Sequence, residues 1–260
     1  MFSFGAADVQ GDPFPHVSSN PFLDPTLYER LRSEFPSDQL FDRSSTEGGR
    51  SGRDLYRGDE EMDELLAASP AWSEFHAFLN SPRFLDFTLD LFGDRLRDLG
   101  CTVDPGDMRF VDWTEPRGDL AGKKRSFSLG RKRAGAAEEM YCRLDLHQGG
   151  ASYAKPVHCD RPNRLVSMIV YFVDAEEIEC QGGDLGIHRS TSGAPVSVLP
   201  RHPKPETTEM VATVTPEQNR GLFFPCSNNS YHSVSAIEST KGYRDFAYIN
   251  LSSRADSIWG

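Results

Sequence analysis

The sequence predicts a mainly β protein with flanking α-helices: a double-stranded β-helix, or jelly roll, buttressed by N-terminal helices. Three observations lead there. From Met140 onward the chain is strand-like, broken by turn clusters at intervals that suit an antiparallel barrel or jelly roll. The strand segments fall near 141–147, 154–160, 164–173, 183–189, 208–214, 219–225, 231–237 and 244–251, and eight is the jelly-roll count. Helical apolar stripes are confined to the first hundred residues, where they suit the outside of a sheet. The reading is one domain over 1–260, with a helical and irregular support region at 1–139 and the catalytic core at 140–252.

In chain order, residues 1–22 read as extended and turn-rich, with Pro13, Pro15 and Pro21. Asp24 is a good N-cap with Pro25 at the first helical position, and Leu27, Tyr28, Leu31 and Phe35 share one face before Pro36 ends the helix. Residues 42–58 are polar and rich in Gly and Ser, which predicts a loop. Glu60–Ala68 reads as a short acidic helix. Ser69-Pro70 and Ser81-Pro82 open two more, the second carrying Leu85, Leu89, Phe92, Leu96 and Leu99 toward a stop at Gly100. A short strand is expected over Met108–Thr114. Arg117 to Arg133 then holds seven Lys or Arg against one acid, Asp119, and reads as a solvated loop or as a lid that draws in an anionic substrate. Residues 190–206, with four prolines, form a long loop.

A formal charge of −11 excludes a general nucleic-acid binder, which needs a basic footprint. No segment has the apolar length of a membrane span, and the first residues lack the basic and apolar regions of a secretory signal. Five widely spaced Cys without a C-x-x-C fit reduced thiols, so a cytoplasmic setting is expected.

The chemistry concentrates in Tyr153-Ala-Lys-Pro-Val-His158-Cys-Asp160 and in Tyr231-His232-Ser233. On a strand, His158 and Asp160 at i and i+2 project to one face while Cys159 points away. His232 from a distant strand would complete two imidazoles and a carboxylate, the facial set that holds non-haem iron and leaves positions open. Gly182-Gly183-Asp184-Leu185 follows the strand Leu165–Val173 at the distance of a hairpin partner. Arg244 heads the alternating run Arg244-Asp-Phe-Ala-Tyr-Ile-Asn-Leu251. In this order and spacing the sequence resembles the iron(II)/2-oxoglutarate-dependent dioxygenases, in their prolyl-4-hydroxylase-like branch, over about residues 140–252.

The resemblance implies a hydroxylase that uses Fe(II), 2-oxoglutarate and O2, with His158, Asp160 and His232 as metal ligands. Arg244 would hold the far carboxylate of 2-oxoglutarate, in preference to Lys241, which precedes a Gly turn. Relatives carry a Tyr on the first barrel strand; Leu146 stands near that position here, leaving Tyr141 or Tyr153. Arg143 would contact substrate or pair with Asp145. Arg161 and Arg164 are candidates for the pocket rim, and His188 for reaching the pocket. Asn228 and Ser230 would orient His232. The expected substrate is a small metabolite, with the basic stretch favouring an anionic one. A protein or peptide hydroxylase is the alternative within the class, and a cupin-like metal binder without turnover the rival outside it.

Overall fold

The structure, a computed structural model, describes residues 1–44, 52–56, 59–112 and 138–260. The basic stretch Arg117 to Arg133, read as loop or lid, lies outside the described residues. All eight strands expected after Met140 are present: β4 (Glu139–Gly149), β5 (Lys155–His158), β6 (Arg164–Tyr171), β7 (Leu185–Ser190), β8 (Thr208–Val214), β9 (Gly221–Pro225), β10 (His232–Val234) and β11 (Arg244–Ser253). Three short strands precede them: β1 (Val17–Ser19), β2 (Gly52–Tyr56) and β3 (Arg109–Phe110). Among the described residues they form two sheets. The larger has the order β1-β9-β6-β11-β4-β2 with β3 against β4, and the smaller runs β5-β10-β7-β8.

The large sheet is amphipathic in charge rather than in hydrophobicity alone, because each strand alternates between two different interiors. Its outer face presents Cys142, Leu144, Leu146, Val166, Met168, Val170, Phe223, Ala247, Ile249 and Leu251 to the helices. These are α1 (Pro25–Ser33), α2 (Asp38–Ser44), α3 (Glu60–Ala68), α4 (Pro70–Leu79) and α5 (Pro82–Leu96). Aromatic rings lock this layer: Phe92 meets Phe223 edge-on at 5.2 Å, and Tyr28 stacks on Phe172 at 5.3 Å. The inner face carries Ile169, Tyr171, Leu222, Phe224 and Phe246, which close against Leu185, Ile187 and Val214 of the small sheet.

The start signals act as expected at two helices. Asp24 accepts from the Thr26 and Leu27 amides, and Ser69 accepts from Trp72. Ser81 does not cap α5; its hydroxyl donates instead to the Phe78 carbonyl at 2.6 Å.

Three expectations are corrected. Residues 42–58 are not all loop: α2 reaches Ser44, and β2 pairs antiparallel with β4, burying Leu55. Five residues flanked by Gly and Ser have too little pattern to betray a strand that exists because β4 templates it. The strand carrying His158 stops there, so Asp160 lies beyond it. The Gly-Gly segment is not the hairpin partner of β6, whose neighbours are β9 and β11. Residues 172–184 cross to the other sheet, and β7 pairs with β10 and β8.

That crossing needs glycine. Gly182 has φ +83°, and a Cβ there would stand 1.9 Å from the Ala236 carbonyl oxygen; Gly193 has φ +63° but open space. Gly193→Ala should therefore cost only the left-handed strain, roughly 1–2 kcal/mol. Gly182→Ala adds a backbone clash and should cost about 2–5 kcal/mol, with the difference read from urea unfolding midpoints of the two variants.

Candidate active site

The two sheets enclose a cavity of about 270 Å³ lined by residues from both. The antiparallel pairing of β5 and β10 sets His232 directly opposite His158, with ring centroids 4.4 Å apart. Each imidazole is aimed by the chain two residues before it. The His158 Nδ1 hydrogen donates to the Pro156 carbonyl at 2.8 Å, and that of His232 to the Ser230 carbonyl at 3.0 Å. A carbonyl only accepts, so Nδ1 carries a proton in both rings, and in the neutral form of either ring Nε2 is the lone pair. Ser230 thus does orient His232, through its backbone. Asn228 serves elsewhere, accepting from Arg201.

The two Nε2 atoms lie 4.0 and 3.9 Å from the Asp160 carboxylate oxygens. These are too long for hydrogen bonds and shorter than twice a first-row metal–ligand bond of about 2.1 Å. Among the described residues this is the one group of three such side chains with ligand atoms within 4.8 Å of one another. Burial pushes the His232 imidazole down to about 4. Burial opposes ionisation of Asp160, but the Arg164 guanidinium, His232 and the Ser167 hydroxyl outweigh it and hold the carboxyl well below its usual range. Two imidazoles and one carboxylate are a donor set suited to iron(II).

With no strand to hold it, Asp160 is gripped by side chains. Oδ1 accepts from Arg164 Nη1 at 3.0 Å; Oδ2 accepts from Ser167 Oγ at 2.6 Å and from the Tyr248 hydroxyl at 2.8 Å. Its backbone carbonyl accepts from Arg201 Nε at 2.8 Å. The same guanidinium reaches the Cys226 carbonyl at 2.7 Å and the Asn228 side chain. Arg201 therefore ties the segment bearing Asp160 to the segment leading into His232. Burial raises the Tyr248 phenol well above its ordinary range, so it stays protonated and donates.

Arg244 stands at the other end of the cavity. It is 1% exposed, and its guanidinium lies over the rings of Phe246 and Tyr171 at 4.6 and 4.7 Å. Nη2 donates to the Tyr171 hydroxyl at 2.6 Å, while Nε is buried with no partner. Among the described residues no carboxylate meets this guanidinium. A buried cation left with a neutral hydroxyl is costly unless an anion completes it. A bidentate fork in an aromatic frame matches a ligand carboxylate. Gly183 makes room for it: a Cβ there would press on Arg244 Cδ at 3.3 Å and Ile237 at 3.0 Å.

The other sequence candidates divide. Tyr153, Arg143, Arg161 and Arg164 line the cavity. Arg143 pairs with buried Asp145 at 2.6 Å, and Arg164 is spent on Asp160. Lys241 is excluded: it sits at the surface against Glu179, since its Gly turn projects it into water. Tyr141 shares the inward face of β4 but lies against Arg254, beyond the cavity lining. His188 is buried with Nε2 on Ser233 Oγ at 2.8 Å and does not line the cavity. Sequence reasoning missed Tyr171, Ser167, Tyr248 and Arg201. The missed signal for Tyr171 and Ser167 was their parity on β6, which puts them with Ile169 on the inner face.

Two histidines and one carboxylate converging between jelly-roll sheets, with a buried arginine in the same cavity, are a donor set that suits non-haem iron. Residues 143–247 match the family model of the 2OG-Fe(II) oxygenase superfamily. The oxygenases of that superfamily use iron(II), 2-oxoglutarate and O2, and the donor set and the uncompensated Arg244 fit these groups. No curated relative matches in sequence. Similar solved structures include a prolyl 4-hydroxylase from Phytophthora capsici, 13% identical with a TM-score of 0.49; the match covers 96% of this chain and 61% of that one. This chain thus spans about three fifths of that protein. A Pseudomonas putida prolyl-4-hydroxylase is 13% identical at TM-score 0.46, covering 92% of each chain. Iron-bound HygX from Streptomyces hygroscopicus is 11% identical at TM-score 0.44, covering 94% of this chain and 84% of that one. Among the described residues no helix is long and apolar enough to cross a membrane.

The grip of Arg201 on both ligand segments yields a test. Arg201→Ala should weaken Fe(II) binding about 10- to 100-fold, as loss of ligand-orienting contacts does, with the secondary structure retained by circular dichroism. Titration of Fe(II) under anaerobic conditions measures it.

Proposed function

We propose that this protein is a hydroxylase that converts an unactivated C–H bond of a small polar substrate to an alcohol. Consumption of 2-oxoglutarate and O2 would yield succinate and CO2. The reading is carried by one observation: a buried Arg244 guanidinium, with no carboxylate against it among the described residues, shares a cavity with the His158, Asp160 and His232 side chains. Iron(II), 2-oxoglutarate and O2 together supply the oxidising chemistry when bound.

The chain's own residues do the rest. His158 Nε2, His232 Nε2 and Asp160 hold the metal. Arg244 and the Tyr171 hydroxyl take the far carboxylate of 2-oxoglutarate, and the rings of Tyr171 and Phe246 keep water from that ion pair. Tyr153, whose ring lies 6.0 Å from the Arg244 guanidinium, walls the same end. The remaining cavity wall carries Arg143, Asp145, His147, Lys155 and Arg161. A charged wall of this kind suits a small molecule with polar groups; an aliphatic substrate would leave those groups desolvated. The single oxygenase domain over 1–260 is part of this proposal, with the helices as its support.

The test is succinate formation from 2-oxoglutarate with Fe(II) and air, screened against small polar metabolites and against peptides. Substrate-stimulated succinate is expected with a metabolite. Stimulation by peptides alone would make the protein a peptide hydroxylase, and binding without succinate under any condition would make it a metal-binding jelly roll. His158→Ala, Asp160→Ala and His232→Ala should each abolish turnover. Arg244→Ala should raise the 2-oxoglutarate requirement by about two to four orders of magnitude, from a cost of about 3–5 kcal/mol for an orphaned buried charge. Tyr171→Phe removes one hydrogen bond of about 0.5–1.5 kcal/mol and should raise it about 2- to 12-fold. Lys241→Ala should leave it unchanged, and the reverse ranking would reassign the anchor.

A further inference from the structure

The hydrogen bonds on Asp160 settle how much of its carboxylate is left for a ligand. An ionised carboxylate has about four lone-pair sites, two on each oxygen. Oδ2 is taken twice, by Ser167 Oγ at 2.6 Å and by the Tyr248 hydroxyl at 2.8 Å. Oδ1 is taken once, by Arg164 Nη1 at 3.0 Å. The Cys226 thiol, 3.9 Å from Oδ2, is a weak donor at long range and adds little.

The donors themselves have no freedom to do otherwise. Tyr248 has one proton and accepts from Arg164 Nη1, so its proton goes to Asp160. Ser167 also has one proton, with Asp160 Oδ2, Asn250 Oδ1 at 3.1 Å, Cys226 Sγ at 3.2 Å and the Tyr248 hydroxyl at 3.5 Å in reach. The charged and nearest acceptor takes it. Asn250 Nδ2 is buried with no partner, and turning that amide by half a revolution sets its NH2 on Ser167 Oγ, which then accepts from Asn250 while donating to Asp160. Ser167, Tyr248 and Asn250 occupy adjacent inward positions on paired strands: Ser167 lies opposite Asn250, and Tyr248 opposite Ile169, next but one along β6. The sheet register therefore builds this cradle.

We propose that Ser167, Tyr248 and Arg164 are positioning residues that leave Asp160 a single lone pair, on Oδ1, and so restrict it to one-oxygen ligation of the metal. The inference rests on the ligand reading of His158, Asp160 and His232. Its consequence is that the carboxylate occupies one metal position instead of two, which keeps room for 2-oxoglutarate and O2 together. Arg164 belongs to this cradle and not to the substrate rim.

The test uses Mn(II) bound to the full chain without 2-oxoglutarate, reading affinity and the water-proton relaxation per bound ion. In Tyr248→Phe, and more fully in Ser167→Ala/Tyr248→Phe, Oδ2 is released and can displace a water. Relaxation per bound ion should fall by about one third, as three open positions become two, while Mn(II) affinity stays level or rises. A merely structural role predicts the opposite, weaker Mn(II) binding with unchanged relaxation per bound ion, and that result overturns the proposal. Ser167→Thr, which restores the donor, should behave as wild type. Tyr248→Phe keeps the ring, so it reports even where the double variant fails to fold. His158→Ala separates the two levels. If it leaves Mn(II) binding intact, the ligand reading falls and the cradle with it. If it abolishes binding while the cradle variants match wild type, the cradle alone is wrong.

Discussion

The site depends first on the register of β11. This strand lies at the middle of the large sheet, paired along its length with β4 and over most of it with β6. Its alternation sends Ala247, Ile249 and Leu251 into the helical layer and Arg244, Phe246, Tyr248 and Asn250 toward the small sheet. A slip of one residue would exchange these sets, burying a guanidinium among phenylalanines and emptying the cavity of its polar groups. The outer apolar layer therefore does more than stabilise. Because Phe223, Ile249 and Leu251 have nowhere else to go, Arg244 and Tyr248 have only one place to point.

Charge is the second constraint. Several ionic groups sit between the sheets, where an unpaired charge is expensive. Most are matched within the chain: Asp160 by Arg164 and Asp145 by Arg143. Arg244 differs in having aromatic faces and a phenol where the others have carboxylates. Aromatic rings stabilise a cation by only about 0.5–2 kcal/mol, well short of a full counter-ion. The proposed role of Arg244 as anchor for a carboxylate from outside rests on this asymmetry.

Much of this was legible in the sequence, for reasons that differ by residue. His158, Asp160 and His232 could be found because ligand chemistry restricts the residue types and the strands repeat with a period of two. Arg244 could be found because an arginine heading an apolar strand conflicts with burial unless it has a use. The helix starts at Pro25 and Pro70 were legible as local backbone chemistry. What stayed hidden depends on pairing across the chain. Tyr171 looks like any core tyrosine until Phe246 is set beside it. Arg201 lies in a proline-rich loop with no periodicity, and its role appears only where that loop crosses the ligand segments. β2 is a strand because β4 offers it an edge.

The candidate site draws on both sheets, and this ties its assembly to assembly of the fold. His158 and His232 face each other on the small sheet, aimed by their own backbone. Asp160 follows the small-sheet strand, yet its carboxylate is held by Arg164, Ser167 and Tyr248 of the large one. Arg244 comes from the large sheet through a gap kept open by Gly183 at the entry to the small one. The small sheet and the turn after β5 carry the three candidate ligands, while the large sheet holds the carboxylate in place and supplies Arg244. The apolar cluster of Ile169, Leu185, Ile187, Leu222 and Phe224 fixes the spacing at which the two halves meet. Close packing makes that spacing stiff, and a ligand triad needs such stiffness, because an imidazole or carboxylate displaced by an ångström no longer converges on one ion.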